Sequence, residues 1–383
     1  MQEKPWLRHY DAGVPATLHP YPERTLLDYI TDGARERPGH PALVFKGAPL
    51  TYGELERQSD AFAAALAALG VRRGDRVALL LPNCPQFVIA ELGAWKAGAI
   101  VNPLNPIYTE RELEEALGQT GAETLVTLGR FYGRVKHMQP RTGVKRVVVS
   151  SIKEYLPPVL RVLYGLLKEK KEGDGARPAA GDHAFQELLR RYAGAAAPGP
   201  RPEPGDAAIL LMSGGTTGTP KGAIGTHHAM VMVGLQLRAW LHAILDEGND
   251  KILLPLPLFH VYGNVTAQGL AFIGHNPLVL VPNPRDLDDI VNTIDRVRPS
   301  VFLCVPAIFS ALLEHPKVVA GKSEFRSIKG CFSGASPLMA DTKRRFEELT
   351  GGTIVEGYSL TEGMMATIVN PVGGVQKIGS IGI

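Results

Sequence analysis

Between residues 26 and 128, short apolar runs alternate with stretches of helical spacing, and this alternation restricts the fold more than any other feature. Parallel strands need a crossover of a dozen or more residues, ordinarily a helix, so the alternation is the signature of a parallel sheet. Residues 26–37 have helical spacing and stop at Pro38. Strands over 42–45 and 50–52 flank the turn Lys46-Gly47. Thr51 fits an N-cap, and Glu54 three residues on completes a capping box for a helix over 52–69. Strand 76–81, helix 87–98, strand 99–102, a Thr-capped helix over 109–120 and strand 123–128 follow. The rhythm resumes downstream, with strands over 251–257, 301–305, 329–332 and 353–355 and helices over 226–245, 286–298, 306–313 and 338–350. The fold class is therefore α/β with mostly parallel sheets.

Residues 151–205 break this pattern. Over 155–171, Val159, Val162, Leu163, Leu166 and Leu167 share one helical side and lysines close the segment. Such a helix docks on a membrane interface, with lysines meeting anionic lipid, or packs as an insertion on its own domain. Amphipathic helices ordinarily face a protein core, so packing is the expectation. A helix over 184–192 and the Pro/Gly/Ala-rich linker 193–206 lead into the next apolar run.

That run, 207–212, reads as a buried strand and empties into Ser213-Gly214-Gly215-Thr216-Thr217-Gly218, followed by Lys221. Glycines let backbone N–H groups turn inward around an anion, hydroxyls add donors, and the lysine supplies a point charge. A polyphosphate needs this combination. The Walker A loop fails on register, because Lys221 follows Pro220 and Gly222 stands where a Ser or Thr would ligate magnesium. An ordinary Gly/Thr surface turn is the plain alternative.

Two later stretches also carry chemistry. The strand 251–257 delivers Phe259-His260-Val261-Tyr262-Gly263-Asn264, an aromatic cluster at a strand's carboxyl end, where open α/β sheets place ligands. Strand 353–355 ends in Glu356-Gly357-Tyr358, with Thr361-Glu362 beyond. A Tyr ring can stack on a purine, Thr361 can donate to a phosphate oxygen, and Glu362 can hold Mg²⁺ through oxygen.

Composition sets the limits. The 383 residues are 45% hydrophobic and 21% charged, ample for real cores, and a net charge of +3 asks for no nucleic acid. Cys84, Cys304 and Cys331 form no CxxC pair, which argues against a disulfide framework or structural zinc and fits the cytoplasm. No apolar run approaches membrane-span length, and residues 1–15 lack the apolar core of a signal peptide.

Together, SGGTTGTPKG, PLPLFHVYG, SGASPL and VEGYSLTE resemble the phosphate-loop, acyl-pocket and adenine/magnesium motifs of the adenylate-forming superfamily. That superfamily comprises acyl-CoA synthetases, peptide-synthetase adenylation domains and luciferases. Ser359 stands where Gly is commoner, and the likeness runs from about residue 25 to residue 383. Within it, the runs at 51–83 and 155–171 are most similar to bacterial long-chain fatty acid–CoA ligases. The resemblance implies two packed α/β subdomains, divided as 1–205 and 206–370, with 371–383 as the start of a small β-barrel. It further implies that the chain is the large N-terminal domain alone, without the family's C-terminal domain and with poor turnover.

The implied reaction joins a fatty acid carboxylate to ATP, giving acyl-AMP and pyrophosphate, and then transfers the acyl group to coenzyme A. By the resemblance, Ser213–Gly218 and Lys221 hold the β,γ-phosphates, Thr361 contacts the α-phosphate and Glu362 takes Mg²⁺. Gly334, Ala335, Ser336, Glu356, Gly357 and Tyr358 border the adenine. His260 sits beside the reacting carboxylate, while Tyr262, Gly263 and Asn264 line the acyl tunnel. Phe259-His260 offers no anion for an amino acid's ammonium, which disfavours the peptide-synthetase branch. Aryl or medium-chain acids, a non-catalytic acyl-adenylate-binding module and a homodimer stay open.

Overall fold

The computed structural model describes residues 4–213 and 221–383. Two compact units emerge, both discontinuous in sequence. One comprises 24–228 with 258–260, the other 1–23, 229–257 and 261–383.

Among the described residues, the first unit holds nine strands. β1 (Pro41–Phe45) and β2 (Ala48–Thr51) form an antiparallel hairpin, with Phe45 opposite Ala48 across the Lys46-Gly47 turn. The others are β3 (Arg76–Leu80), β4 (Ile100–Pro103), β5 (Thr124–Leu128), β6 (Arg146–Ser150), β7 (His183–Ala184), β8 (Ala207–Met212) and β9 (Gly222–Thr226). These form one sheet in the order β7-β6-β5-β3-β4-β8-β9, parallel throughout except for β8 against β9. The helices Tyr52–Ala68 and Glu110–Thr120 start at the expected threonines. Thr51 with Glu54 and Thr109 with Glu112 close full capping boxes, each satisfying orphan N–H groups at the helix start. Helix Pro85–Lys96 is buried along its whole length, which fits its mostly apolar sequence; of its polar side chains, Gln86 donates to the Ser151 carbonyl and Lys96 pairs with Glu56 and Asp60.

β8 pairs with β4 through Val101 and Ile209, and two side chains add to that contact. Trp95 Nε1 donates to the Ala208 carbonyl at 2.8 Å, and Asn102 Nδ2 donates to Leu210 O at 3.0 Å. The first bond is buried and the second partly so, and shielding from water strengthens a hydrogen bond.

In the second unit, β10 (Ile252–Leu254), β11 (Leu278–Leu280), β12 (Val301–Cys304), β13 (Gly330–Ser333), β14 (Thr353–Leu360) and β15 (Met365–Val369) lie in the order β15-β14-β13-β12-β10-β11. The pairs from β11 to β14 are parallel, and β15 returns antiparallel to β14. Phe302, Phe309, Phe325 and Phe346 pack edge-on or tilted beneath this sheet, with Phe309 and Phe346 centroids 4.8 Å apart. The N-terminal segment belongs here: the Asp11 carboxylate accepts from the Val372 and Gly373 amides, and Tyr10 meets the Trp240 ring edge-on at 4.9 Å.

The structure corrects several expectations. The strand read over 251–257 stops at Leu254, before the first of two prolines that lack a ladder donor. The strand over 353–355 continues to Leu360, because β15 supplies a partner that periodicity alone does not reveal. β6, β9 and helix Gly129–Met138 were not anticipated. No strand forms over 371–383, and the described residues contain no closed barrel. The insertion forms helix Pro158–Leu167 and then Glu169–Glu172, but its apolar stripe is not packed on its own unit. Among the described residues no helix is long and apolar enough to cross a membrane.

Candidate active site

In the first unit, the phosphate-loop residues Gly214, Gly215, Thr216, Thr217 and Gly218 lie outside the described residues. Their flanks are defined. Ser213 N–H donates to the Lys221 carbonyl at 2.8 Å, and Lys221 N–H lies 3.4 Å from Ser213 Oγ, extending the β8/β9 ladder beyond Met212 and Gly222. A strand, not a helix, follows the loop, which separates it further from the Walker arrangement of strand, loop and helix. Lys221 itself is exposed.

His260 belongs to the same unit, in the short segment 258–260. Asn83 anchors that segment: its Oδ1 accepts the Leu258 amide at 2.8 Å in a buried bond. Asn83 stands just past the carboxyl end of β3, a position at which open sheets gather ligand-facing groups, and that was the signal by which the sequence could have identified it. Desolvation lowers the His260 pKa below the ordinary imidazole value although the residue as a whole remains exposed, favouring the neutral ring.

The remaining predicted residues fall in the second unit, on or just beyond β13 and β14 apart from three at 262–264. Tyr262, Gly263 and Asn264 lie in a buried π-helical turn, Tyr262–Thr266. Tyr262 donates its hydroxyl proton to Phe332 O at 2.6 Å, with the Cys304 carbonyl 3.2 Å away. One phenol thus ties the neighbouring strands β12 and β13 where they end. Gly263 allows the turn to approach the chain before it, since a Cβ there would stand 2.1 Å from the Pro257 carbonyl oxygen. Gly334 follows β13 under the Tyr262 ring, where a Cβ would lie 3.3 Å from a ring carbon and 3.4 Å from Gly357 O. Ala335 adopts φ +70°, a left-handed conformation in which a side chain carries strain, and Ser336 beside it is exposed.

Glu356 on β14 accepts the Leu338 amide at 3.1 Å, fixing the start of the segment after Pro337. Gly357 lies over Phe332, and Tyr358, paired with Ile368, leaves its ring 41% exposed. Thr361 and Glu362 occupy the turn between β14 and β15, with Glu362 exposed. Small residues at 334–336, a free ring face at 358 and the buried Ser333 Oγ, which has no partner among the described residues, together suit a flat, hydrogen-bonding heterocycle. Among the described residues no group of three or more His, Cys, Asp or Glu could hold a metal ion. A single carboxylate such as Glu362 instead fits Mg²⁺, which is commonly held by one or two carboxylates together with substrate phosphates.

The second unit also contains a cavity of about 560 Å³, lined by Leu18, Tyr21, Met232, Trp240, Gly363 and Val369 among others. Tyr262, Gly263 and Asn264 are not among its lining residues. The three cysteines are free and buried, and burial pushes the Cys84 thiol up to about 12, so they are poor nucleophiles.

The chain is 35% identical over 381 residues to a long-chain-fatty-acid–CoA ligase of Bacillus subtilis (strain 168), covering 99% of this chain and 67% of that protein. It therefore spans about two thirds of that relative's length. Its fold matches an anthranilate CoA ligase solved with anthranoyl-AMP (TM-score 0.80, 23% identity, 94% of this chain and 65% of that one). It also matches a long-chain-fatty-acid-CoA ligase from Archaeoglobus fulgidus (TM-score 0.79, 21% identity, 98% of this chain and 71% of that one). The model of the AMP-binding enzyme family matches residues 30–383, and the chain belongs to that family of adenylate-forming acyl-CoA ligases.

Proposed function

We propose that this chain is the large domain of a long-chain fatty acid–CoA ligase. A carboxylate oxygen of the fatty acid attacks the α-phosphorus of ATP; the bond to the β-phosphate bridging oxygen breaks and pyrophosphate leaves. The coenzyme A thiolate then attacks the acyl carbonyl and displaces AMP. Such displacements depend on positioning and charge neutralisation more than on covalent help from the protein.

In this reading Ser213–Gly218 and Lys221 bind the β,γ-phosphates and Thr361 the α-phosphate. Gly334, Ala335, Ser336 and Glu356–Tyr358 border the adenine. His260, neutral at physiological pH, sits beside the reacting carboxylate without adding a competing positive charge. Glu362 would hold Mg²⁺, which when bound neutralises phosphate charge. The observation that carries the reading is the parallel pairing of β13 with β14, which sets Ser333 opposite Glu356 and brings Gly334 up to the Gly357 carbonyl, so that the two motifs run on from adjacent strands. The cavity bordered by Gly363 has the size of a small-molecule site, and its Leu18, Met232 and Val369 side chains suit an acyl chain. We assign the acyl tail to it, which leaves Tyr262, Gly263 and Asn264 outside the lining of that cavity.

An aryl acid is the second reading, favoured by the fold likeness to the anthranilate ligase. Thermal shifts with non-hydrolysable palmitoyl-, octanoyl-, benzoyl- and aminoacyl-adenylates in Mg²⁺ separate the two. A ligand bound only by the folded state stabilises by about 2.7 kcal/mol at a hundredfold excess over Kd. The palmitoyl compound should shift most. A larger benzoyl shift replaces the substrate, and no shift from any of the four overturns the assignment. The three free thiols fit a cytoplasmic reaction.

A further inference from the structure

The helix Pro158–Leu167 is oriented the wrong way round for a soluble insertion. Its apolar stripe, Val159, Val162, Leu163, Leu166 and Leu167, follows the i, i+3, i+4, i+7, i+8 spacing that normally faces a core. Here those side chains are 71, 61, 45, 77 and 71% exposed, and no residue of the helix is buried. Leu160, Tyr164 and Gly165, outside the stripe, are the half-covered ones, and Tyr164 donates its hydroxyl to Glu172 at 2.8 Å. Scattered surface leucines are ordinary, whereas five in one continuous stripe form a patch that marks a contact surface.

The charges around the stripe indicate what it meets. Lys168, Lys170 and Lys171 follow it directly, are exposed, and have no ion pair among the described residues. The nearby acids are neutralised within the unit: Glu169 pairs with Lys153, and Glu172 lies 3.7 Å from Arg130. Arg161 is turned back onto the Lys153 and Glu154 carbonyls, which ties the helix to the chain before it and holds the stripe outward. The result is an apolar face bordered by uncompensated positive charge, the composition of an interfacial helix on anionic lipid.

We infer that the 158–167 face docks the protein on a bilayer surface carrying anionic headgroups, with the leucines and valines entering the headgroup boundary and Lys168, Lys170 and Lys171 meeting lipid phosphate. This inference does not depend on the ligase reading, because its test measures partitioning and not turnover.

The test is co-sedimentation of the chain with vesicles of phosphatidylcholine alone or mixed with phosphatidylglycerol. The chain should partition onto the mixed vesicles, more weakly at high salt, and bind poorly to neutral ones. Val162→Glu combined with Leu166→Glu should abolish partitioning while leaving thermal unfolding unchanged, since neither side chain is buried. Lys168→Gln/Lys170→Gln/Lys171→Gln should lower it on the order of a hundredfold, at roughly fivefold per lysine. Retained binding by the double glutamate variant, or none by the unmodified chain, overturns the proposal. So does a dimer in sedimentation velocity that the glutamates dissociate, which would make a second copy the occupant.

Discussion

The Tyr262 hydroxyl donates to the Phe332 carbonyl at 2.6 Å, across 70 residues of sequence and at the point where β13 opens into Ser333-Gly334. Burial holds this phenol protonated, with its pKa far above the ordinary value, so it is a permanent donor. The bond sets where the strand ends and hence where the 334–336 turn begins.

Tyr262→Phe removes that donor and leaves a buried carbonyl without it. The expected cost is about 1–3 kcal/mol of stability, with weaker adenylate binding as the turn loosens. Urea denaturation and titration with a non-hydrolysable adenylate measure the two effects. Unchanged values for both would show that the Phe332 carbonyl is satisfied elsewhere.

Gly263→Ala is expected to be more severe. Its Cβ would stand 2.1 Å from a backbone oxygen and 2.8 Å from another, so the chain itself must move. A loss of about 3 kcal/mol or more is expected, at the upper end of overpacking effects, and is read from thermal unfolding or soluble yield.

His227 gives the fold a pH dependence. It is buried edge-on against Trp95 at 5.4 Å, its Nδ1 has no partner among the described residues, and desolvation lowers its pKa from 6.5 to about 4. The folded state therefore favours the neutral ring, while the unfolded chain takes up a proton more readily. The stabilisation is fully present above pH 6.5 and is lost as pH falls toward 4, by roughly 3 kcal/mol over that window. His227→Gln should flatten this part of a stability–pH profile; a slope unchanged in the variant would assign it to other groups.

Glu362→Gln retains size and hydrogen bonding but removes the charge. Because Glu362 is exposed, stability should change by less than about 0.5 kcal/mol. The Mg²⁺-dependent part of nucleotide binding should disappear, as calorimetry with and without the metal would show. Equal Mg²⁺ enhancement in both proteins would remove Glu362 from the metal.

Asn83→Ala leaves the buried Leu258 amide without its acceptor, at about 1–3 kcal/mol, and frees the segment carrying His260. Exchange of the Leu258 amide with deuterated water should accelerate relative to the unmodified chain. Protection equal to that of the unmodified chain would mean that another group anchors the segment.

Features whose determinants lie within a few residues were legible in the sequence. Thr51 with Glu54 fixed one helix start, Thr109 capped another, and helix Pro306–Leu313 was read to the residue. Capping and periodicity are interactions at three and four residues, so the string of letters contains both partners. The motif residues were readable as candidates for a similar reason, since glycines, hydroxyls and a lysine in one loop have the chemistry a phosphate needs; residues 214–218 of that loop lie outside the described residues.

Strand length and side-chain direction were not legible. β14 runs on to Leu360 because β15 pairs with it, and Tyr262 turns toward carbonyls 42 and 70 residues away. The stripe on 158–167 was visible as a pattern, but the pattern is identical whether it faces a core or solvent.

The sequence by itself determined the α/β class, the threonine-capped helix starts and the family, all of which follow from short-range spacing and residue type. Only the tertiary structure decided that residues 4–23 fold with the C-terminal half, that Asn83 holds the His260 segment, and that the insertion turns its apolar face outward. Those outcomes depend on which distant groups satisfy one another's hydrogen bonds and buried area, and that is settled by the folded chain as a whole.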